Sequence, residues 1–226
     1  MRFRRLFLWD IGFQIKYGFY FLYAVLTGIY GIILSALPED WKEKVAVILI
    51  FSDPAAMGLF FMGAIVLLEK SQHTPCALAV SPVRAGEYIL AKVGSLSVIS
   101  LAVAAVLAFF AGAGNCHIVL SGTMITGAVF TLLGIMTATK INSLNQFLLW
   151  TVPIEIVCFV PAILHLFKIT PAWLRYYPAN VCMEMVSGQV PSAAGFFILT
   201  AFLAVLYALS KDCVLKMWGS TGGVKL

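Results

Sequence analysis

The chain has 226 residues, 62% of them hydrophobic and 11% charged, with a mean hydropathy of +0.98. A water-soluble domain holds roughly 45–50% apolar and about 25% charged residues, so this composition excludes a soluble globule and makes the bilayer part of the solvent. The net charge of +5 follows from the cytoplasmic bias of Lys and Arg in membrane proteins, and no nucleic-acid partner is expected.

The five cysteines are scattered and contain no CxxC pair, so neither a zinc site nor a disulfide framework is indicated. A Cys116–Cys182 pair on the outer side is the one disulfide left open. Apolar runs recur to the end of the chain, and no cleavable leader is expected.

Residues 1–16, MRFRRLFLWDIGFQIK, set Phe3, Phe7, Ile11 and Ile15 at four-residue spacing, one helical stripe. Arg2, Arg5 and Lys16 fall opposite, with Trp9 among them; Arg4 and Asp10 blur the pattern. Two readings fit. One is a basic amphipathic helix lying in the cytosolic headgroup layer; the other is a frayed tail whose arginines set topology.

Residues 17–210 read as a six-helix transmembrane domain. Tyr17–Leu37 is the first span: about 21 residues at about 1.5 Å each cover a hydrocarbon core of about 30 Å. A mixed-charge outer loop, PEDWKEK, precedes the second apolar block, Val45–Leu68. Asp53-Pro54 has the form of an N-cap followed by proline at the first helical position. The spacing favours a break there, leaving Val45–Ser52 as a half-inserted piece; the competing reading is one long helix kinked at Pro54.

The third span runs from about Ile89 to Gly112, with a ridge of small residues at Ser100, Ala104, Ala108 and Gly112. The fourth, about Ile118–Thr139, repeats this with Thr123, Gly127 and Thr131. Small residues every fourth position let helices approach closely in lipid. After the short inner loop Lys140–Gln146, the fifth span, about Phe147–Phe167, carries Pro153, Glu155 and Pro161. Lys168–Val190 is the longest outer segment, either a free loop or re-entrant; its Trp173, Tyr176 and Tyr177 suit a headgroup layer. Pro191–Ser210 is the sixth span, and residues 211–226 read as a flexible polar tail.

On this topology 11 of the 15 Lys and Arg residues lie on one side and 4 on the other. The richer side is expected to be cytoplasmic, with both termini inside.

The longest cytosolic interruption is Glu69–Lys92, EKSQHTPCALAVSPVRAGEYILAK. Ser81-Pro82 predicts an N-cap and helix start, followed by a short helix over Pro82–Lys92 that leads into the third span. Arg84 and Glu87 are three apart and share a face, with Tyr88 beside Arg84. The plainer reading is a loop of topogenic charges.

The pattern Glu69, Thr74, Leu78, Ser81-Pro82-Val83, Glu87-Tyr88-Ile89, Lys92 resembles the first cytoplasmic loop of ABC-2 type transporter permeases. His73-Thr74 stands where Gly-Thr is usual. The six-span layout and the N-terminal helix extend the resemblance over nearly the whole chain, which is most similar to small bacterial permeases described as drug or fluoroquinolone exporters. The resemblance implies an all-α integral membrane fold and a dimer of permease subunits around a central path. It also implies that each first loop acts as a coupling helix seated on a separate ABC ATPase subunit. Glu69, Arg84, Glu87, Tyr88 and Lys92 would transmit the motion: Arg84 and Glu87 by meeting the ATPase, Glu69 and Lys92 by anchoring the loop. ATP and magnesium would belong to that partner, since the chain has no GxxxxGK[ST] loop, and no cofactor is expected in the chain itself.

Glu155 is the one acid deep in an expected span. An intramembrane carboxylate is costly and faces a cavity or a partner; here it either meets a cationic substrate or takes up a proton, or else it caps the helix broken by Pro153 and Pro161. Tyr20 and Tyr23 belong to an aromatic run that lines a path for flat apolar molecules or faces lipid and neighbouring helices. Cys116, His117, His165 and Cys182 show no convergence toward a metal site. No HExxH, GxSxG or paired membrane aspartates occur, so catalysis within the chain is not expected. Two other functions remain open: a proton-coupled secondary carrier using Glu155, although the paired halves usual in such carriers are missing, and a non-transporting accessory subunit.

Overall fold

The computed structural model describes residues 2–221 and, among them, six helices long and apolar enough to cross a membrane. The N-terminal helix α1 (Arg2–Lys16) is followed by a turn at Gly18. That residue adopts φ +76°, a left-handed conformation that glycine reaches without steric cost, and the chain turns there into α2 (Phe19–Ala36), the first span.

The second span is composite. α3 (Glu39–Ala56) passes straight through Asp53-Pro54, a single π turn follows at Met57–Phe61, and α4 (Met62–Ser71) completes the crossing. The expected break at Asp53-Pro54 and the half-inserted piece before it are therefore corrected. No water is available in lipid to satisfy a broken helix, so the helix runs on through Pro54, whose missing N–H forfeits one internal bond without breaking it. The irregularity falls three residues later, as one wide turn. Asp53 is no cap; it is buried inside the helix beside the Tyr30 hydroxyl of α2.

α5 (Thr74–Ala79) is a short helix, α6 (Ala85–Ala111) the third span, α7 (Cys116–Lys140) the fourth and α8 (Leu144–Leu166) the fifth. Of the expected ridges, Ser100, Ala104 and Ala108 of α6 and Thr123, Gly127 and Thr131 of α7 are buried, whereas Gly112 is exposed and closes α6 in a left-handed conformation. α7 is also pressed against the π turn. A Cβ on Gly134 would stand 2.3 Å from the Gly58 carbonyl oxygen, and one on Gly58 would stand 2.5 Å from the Thr131 nitrogen. Backbone meets backbone there, which only glycine permits.

The long segment after α8 is not a free loop. A 3-10 turn (Ala172–Tyr176) leads into α9 (Pro178–Val186), whose nine residues reach only about 14 Å but bury Val181, Cys182, Met183 and Met185 against the bundle. His165 locks this arrangement, with one ring nitrogen 3.0 Å from Glu184 and the other 2.9 Å from Thr170. None of the five cysteines is joined in a disulfide, Cys116 and Cys182 included.

The sixth span, α10 (Ala193–Thr221), outruns its expected end at Ser210 by three turns. Residues 211–221 are helix and not flexible tail, because Val214, Met217 and Trp218 form an apolar stripe that buries itself. Residues 222–226, with Lys225, lie outside the described residues. Among the described residues, α1 and the last turns of α10 come together near the start of α6, at the end of the bundle where most Lys and Arg residues sit, the basic end.

Candidate functional site

At the basic end three helices meet on one buried ion cluster. Lys92 of α6 donates to Asp10 of α1 and to Glu69 of α4, both at 2.5 Å. Tyr88, one turn before Lys92 on the same face, donates its hydroxyl to Glu69 at 2.6 Å. Gln14, one turn after Asp10, donates to Ser95 at 2.9 Å. Lys92 and Glu69 are each only 2% exposed. The rings of Trp9 and Tyr88 stand 5.7 and 5.3 Å from the ammonium, within cation–π range. Trp218 of α10 packs edge-on against Tyr88.

The helical register explains the convergence. Phe7, Asp10 and Gln14 span about 10 Å of α1 yet meet Gly94, Lys92 and Ser95, within one turn of α6. The two helices therefore cross steeply, and α1 lies across the end of the bundle. Phe3, Leu8, Trp9 and Ile15 are left exposed. The face turned inward is polar: Asp10 and Gln14 are buried in α1, while the apolar stripe lies to the sides.

Burial pushes the Asp10 carboxyl up from 3.8 to about 6. The Lys92 ammonium pulls it down but is shared with Glu69, whose negative charge pushes it up again. A carboxyl raised on folding binds its proton more tightly in the folded state, so this contribution is fully present below about pH 4 and is lost as pH rises through about 6. Asp10→Asn is expected to remove that part of the pH dependence. Melting temperatures in detergent between pH 4 and 7, wild type against variant, check it; parallel curves contradict it.

The neighbouring lysine anchors the other side of α4. Lys70 Nζ, with three N–H donors, stands among four acceptors: the carbonyls of Ala138, Thr139 and Ile141 at 3.0, 2.9 and 2.7 Å and the Asn142 Oδ1 at 3.1 Å. These groups lie at the C-terminus of α7, where carbonyls lack helical partners and a cation is favoured. Two consecutive residues thus tie the end of α4 to α1 and α6 on one side and to α7 on the other.

Between these ties hangs residues 72–84. The short helix lies at Thr74–Ala79, earlier than the expected Pro82–Lys92. Ser81-Pro82 starts no helix: Ser81 Oγ donates to the Leu78 carbonyl at 2.8 Å and makes a bend. α6 begins at Ala85, after Arg84 as N-cap, and the Glu87 carboxylate accepts the Arg84 backbone N–H at 3.0 Å. Arg84 itself is exposed, and Glu87 is half-buried. Of the five residues expected in the coupling loop, Glu69, Tyr88 and Lys92 are therefore buried within the cluster, Glu87 serves the helix start, and Arg84 remains on the surface. Val80, 86% exposed, is the apolar tip of the loop. Sequence reasoning missed Asp10, Lys70 and Val80; the signal for Asp10 was its four-residue spacing from Gln14.

The other candidates lie elsewhere. Tyr23 is buried with its ring 5.8 Å from that of Phe61, and Tyr20 is half-buried. Glu155 sits half-buried on α8, flanked by exposed Val152, Ile156 and Val157. The structure does not bring Glu155 together with the two tyrosines in one cavity.

Six candidate spans, an N-terminal helix crossing α6 and a loop clamped at its base define a multi-pass membrane protein. The chain belongs to the fluoroquinolones export permease protein family, whose model matches residues 2–219. Fluoroquinolones export permease proteins from two strains of Mycobacterium tuberculosis are 28% identical to it over 157 residues. That match covers 68% of this chain and 66% of each relative, just under two thirds of their length.

Proposed function

We propose that this chain is the membrane-spanning subunit of an ATP-driven exporter and receives its energy through residues 72–84. The observation that carries the reading is an exposed apolar tip held on a rigid base. Val80 projects from a loop whose two ends, Glu69 and Lys92, are joined by a buried ion pair. A force on that tip reaches α1, α4, α6 and α7 through hydrogen-bonded contacts and is not absorbed by a slack loop. The excess of Lys and Arg supports a cytosolic position for this end, where ATP is. The chain has no phosphate-binding loop of its own, so ATP and magnesium belong to a separate ABC ATPase subunit.

α2 and α8 turn mostly apolar, exposed faces outward, and α8 carries Glu155 on that side. A carboxylate facing lipid is costly, which favours a second permease subunit covering α8. The relatives' names suggest a drug-like amphiphile as cargo.

The test is co-purification from mild detergent. An ATP-binding-cassette protein is expected at stoichiometric amounts with the wild type and is lost with Val80→Asp, while the melting temperature of the permease stays unchanged. Retention of the ATPase by Val80→Asp would remove the loop from the interface. A permease with no ATPase at all would shift the weight to proton-coupled transport through Glu155.

A further inference from the structure

A groove of about 430 Å³ opens between α1, α5 and the start of α6, directly above the ion cluster. We propose that it binds one anionic phospholipid of the leaflet at the basic end, with the phosphate at Arg2 and Arg5 and the upper acyl methylenes against Leu6, Leu78 and Val83. The volume is in the range of small-ligand sites, about 300–1,000 Å³.

Three observations select this occupant. The first is level: α1 is the interfacial helix, and Trp9, half-exposed at the groove, is a residue that favours the headgroup layer. The second is charge. Arg2 is pinned to the groove by donating to the Pro82 carbonyl at 2.7 Å, and among the described residues neither Arg2 nor Arg5 has a carboxylate within ion-pair distance. The floor carboxylates, Asp10 and Glu69, already hold Lys92 between them, so the charged lining residues sum to +1. Paired arginines suit a phosphate, which accepts several charge-assisted hydrogen bonds. The third is shape: Thr74 and Leu78, one turn apart on α5, face this groove, whereas Ala79 faces a separate groove against α10. The lipid site therefore lies on the side of α5 turned toward α1, and the loop tip stays free.

The experiment is native mass spectrometry of the full-length protein in detergent supplemented with phosphatidylglycerol or phosphatidylcholine in equal amounts. One phosphatidylglycerol is expected to stay bound in preference to phosphatidylcholine, and Arg5→Gln is expected to lower its retention about fivefold, the effect of one basic residue near anionic lipid. Leu78→Trp, which fills the groove and leaves both arginines in place, is expected to lower retention as well; it decides the matter if Arg5→Gln fails to fold. Equal retention of the two lipids overturns the proposal, as does a phosphatidylglycerol preference that survives both variants. Displacement of the lipid by a purified ATPase subunit also overturns it, since the groove would then be a protein interface. No transport is needed for the readout, so the proposal stands or falls separately from the exporter reading.

Discussion

Lys92→Met is expected to cost about 3–5 kcal/mol of stability, the usual penalty for removing one partner from a buried ion pair. The substitution keeps the volume of the side chain and removes its charge. Asp10 and Glu69, both nearly inaccessible to solvent, would then face each other without a cation. Tyr88 can donate one hydrogen bond to Glu69, and nothing replaces the bonds from Lys92. The melting temperature in detergent is expected to fall on the order of 10 °C. The companion variant separates charge from packing: Lys92→Met combined with Asp10→Asn and Glu69→Gln leaves no buried net charge and should recover most of the loss. A triple variant as unstable as the single one would show that packing around the lysine stem, and not charge, holds the three helices together.

Gly134→Val is the other severe change. Its Cβ would start 2.3 Å from the Gly58 carbonyl oxygen, and the nearest obstacles are backbone atoms of the π turn. A flexible side chain could swing aside; a helix backbone cannot. Overpacking of this kind costs about 1–3 kcal/mol and occasionally more, here by forcing α7 away from the second span. The variant is expected to insert but to melt earlier and to be cleaved faster by protease. Gly127→Ala, whose nearest neighbour is Pro54 Cβ at 3.6 Å, serves as the control on the same helix and should be close to neutral. A melting curve for Gly134→Val that matches the control would mean that the two helices are not in direct backbone contact.

Much of this fold was legible because a span declares itself by length. Six runs of about twenty apolar residues leave few other arrangements, and the small residues of α6 and α7 named their own contact faces. The errors came from local rules that lipid overrides. Asp53-Pro54 carries a sound helix-start signal, but a break in the middle of a bilayer would strand backbone groups, and the chain runs on. Ser81-Pro82 carries the same signal at the surface, where a bend costs nothing, and the helix starts three residues late. In the expected tail, Val214, Met217 and Trp218 recur at helical spacing among polar residues, and the burial of that stripe carries α10 past Ser210. In α1 the apolar stripe suggested which face is buried, yet Asp10 and Gln14 turn inward because their partners, Lys92 and Ser95, are equally buried. A pairing across some eighty residues leaves no local trace in one sequence.

The π turn at Met57–Phe61 also sets an angle. Each residue of an α-helix advances the chain by about 100°, and each residue of a π turn by less, so the five residues of this turn cover roughly the rotation of four α-helical ones. The wide turn therefore absorbs one extra residue without rotating α4, and Glu69 and Lys70 leave it aimed at Lys92 and at the end of α7. One residue more or less in the regular helix between the turn and Glu69 would instead swing both side chains away. Both ties at the basic end thus depend on a count of residues kept from the centre of the span.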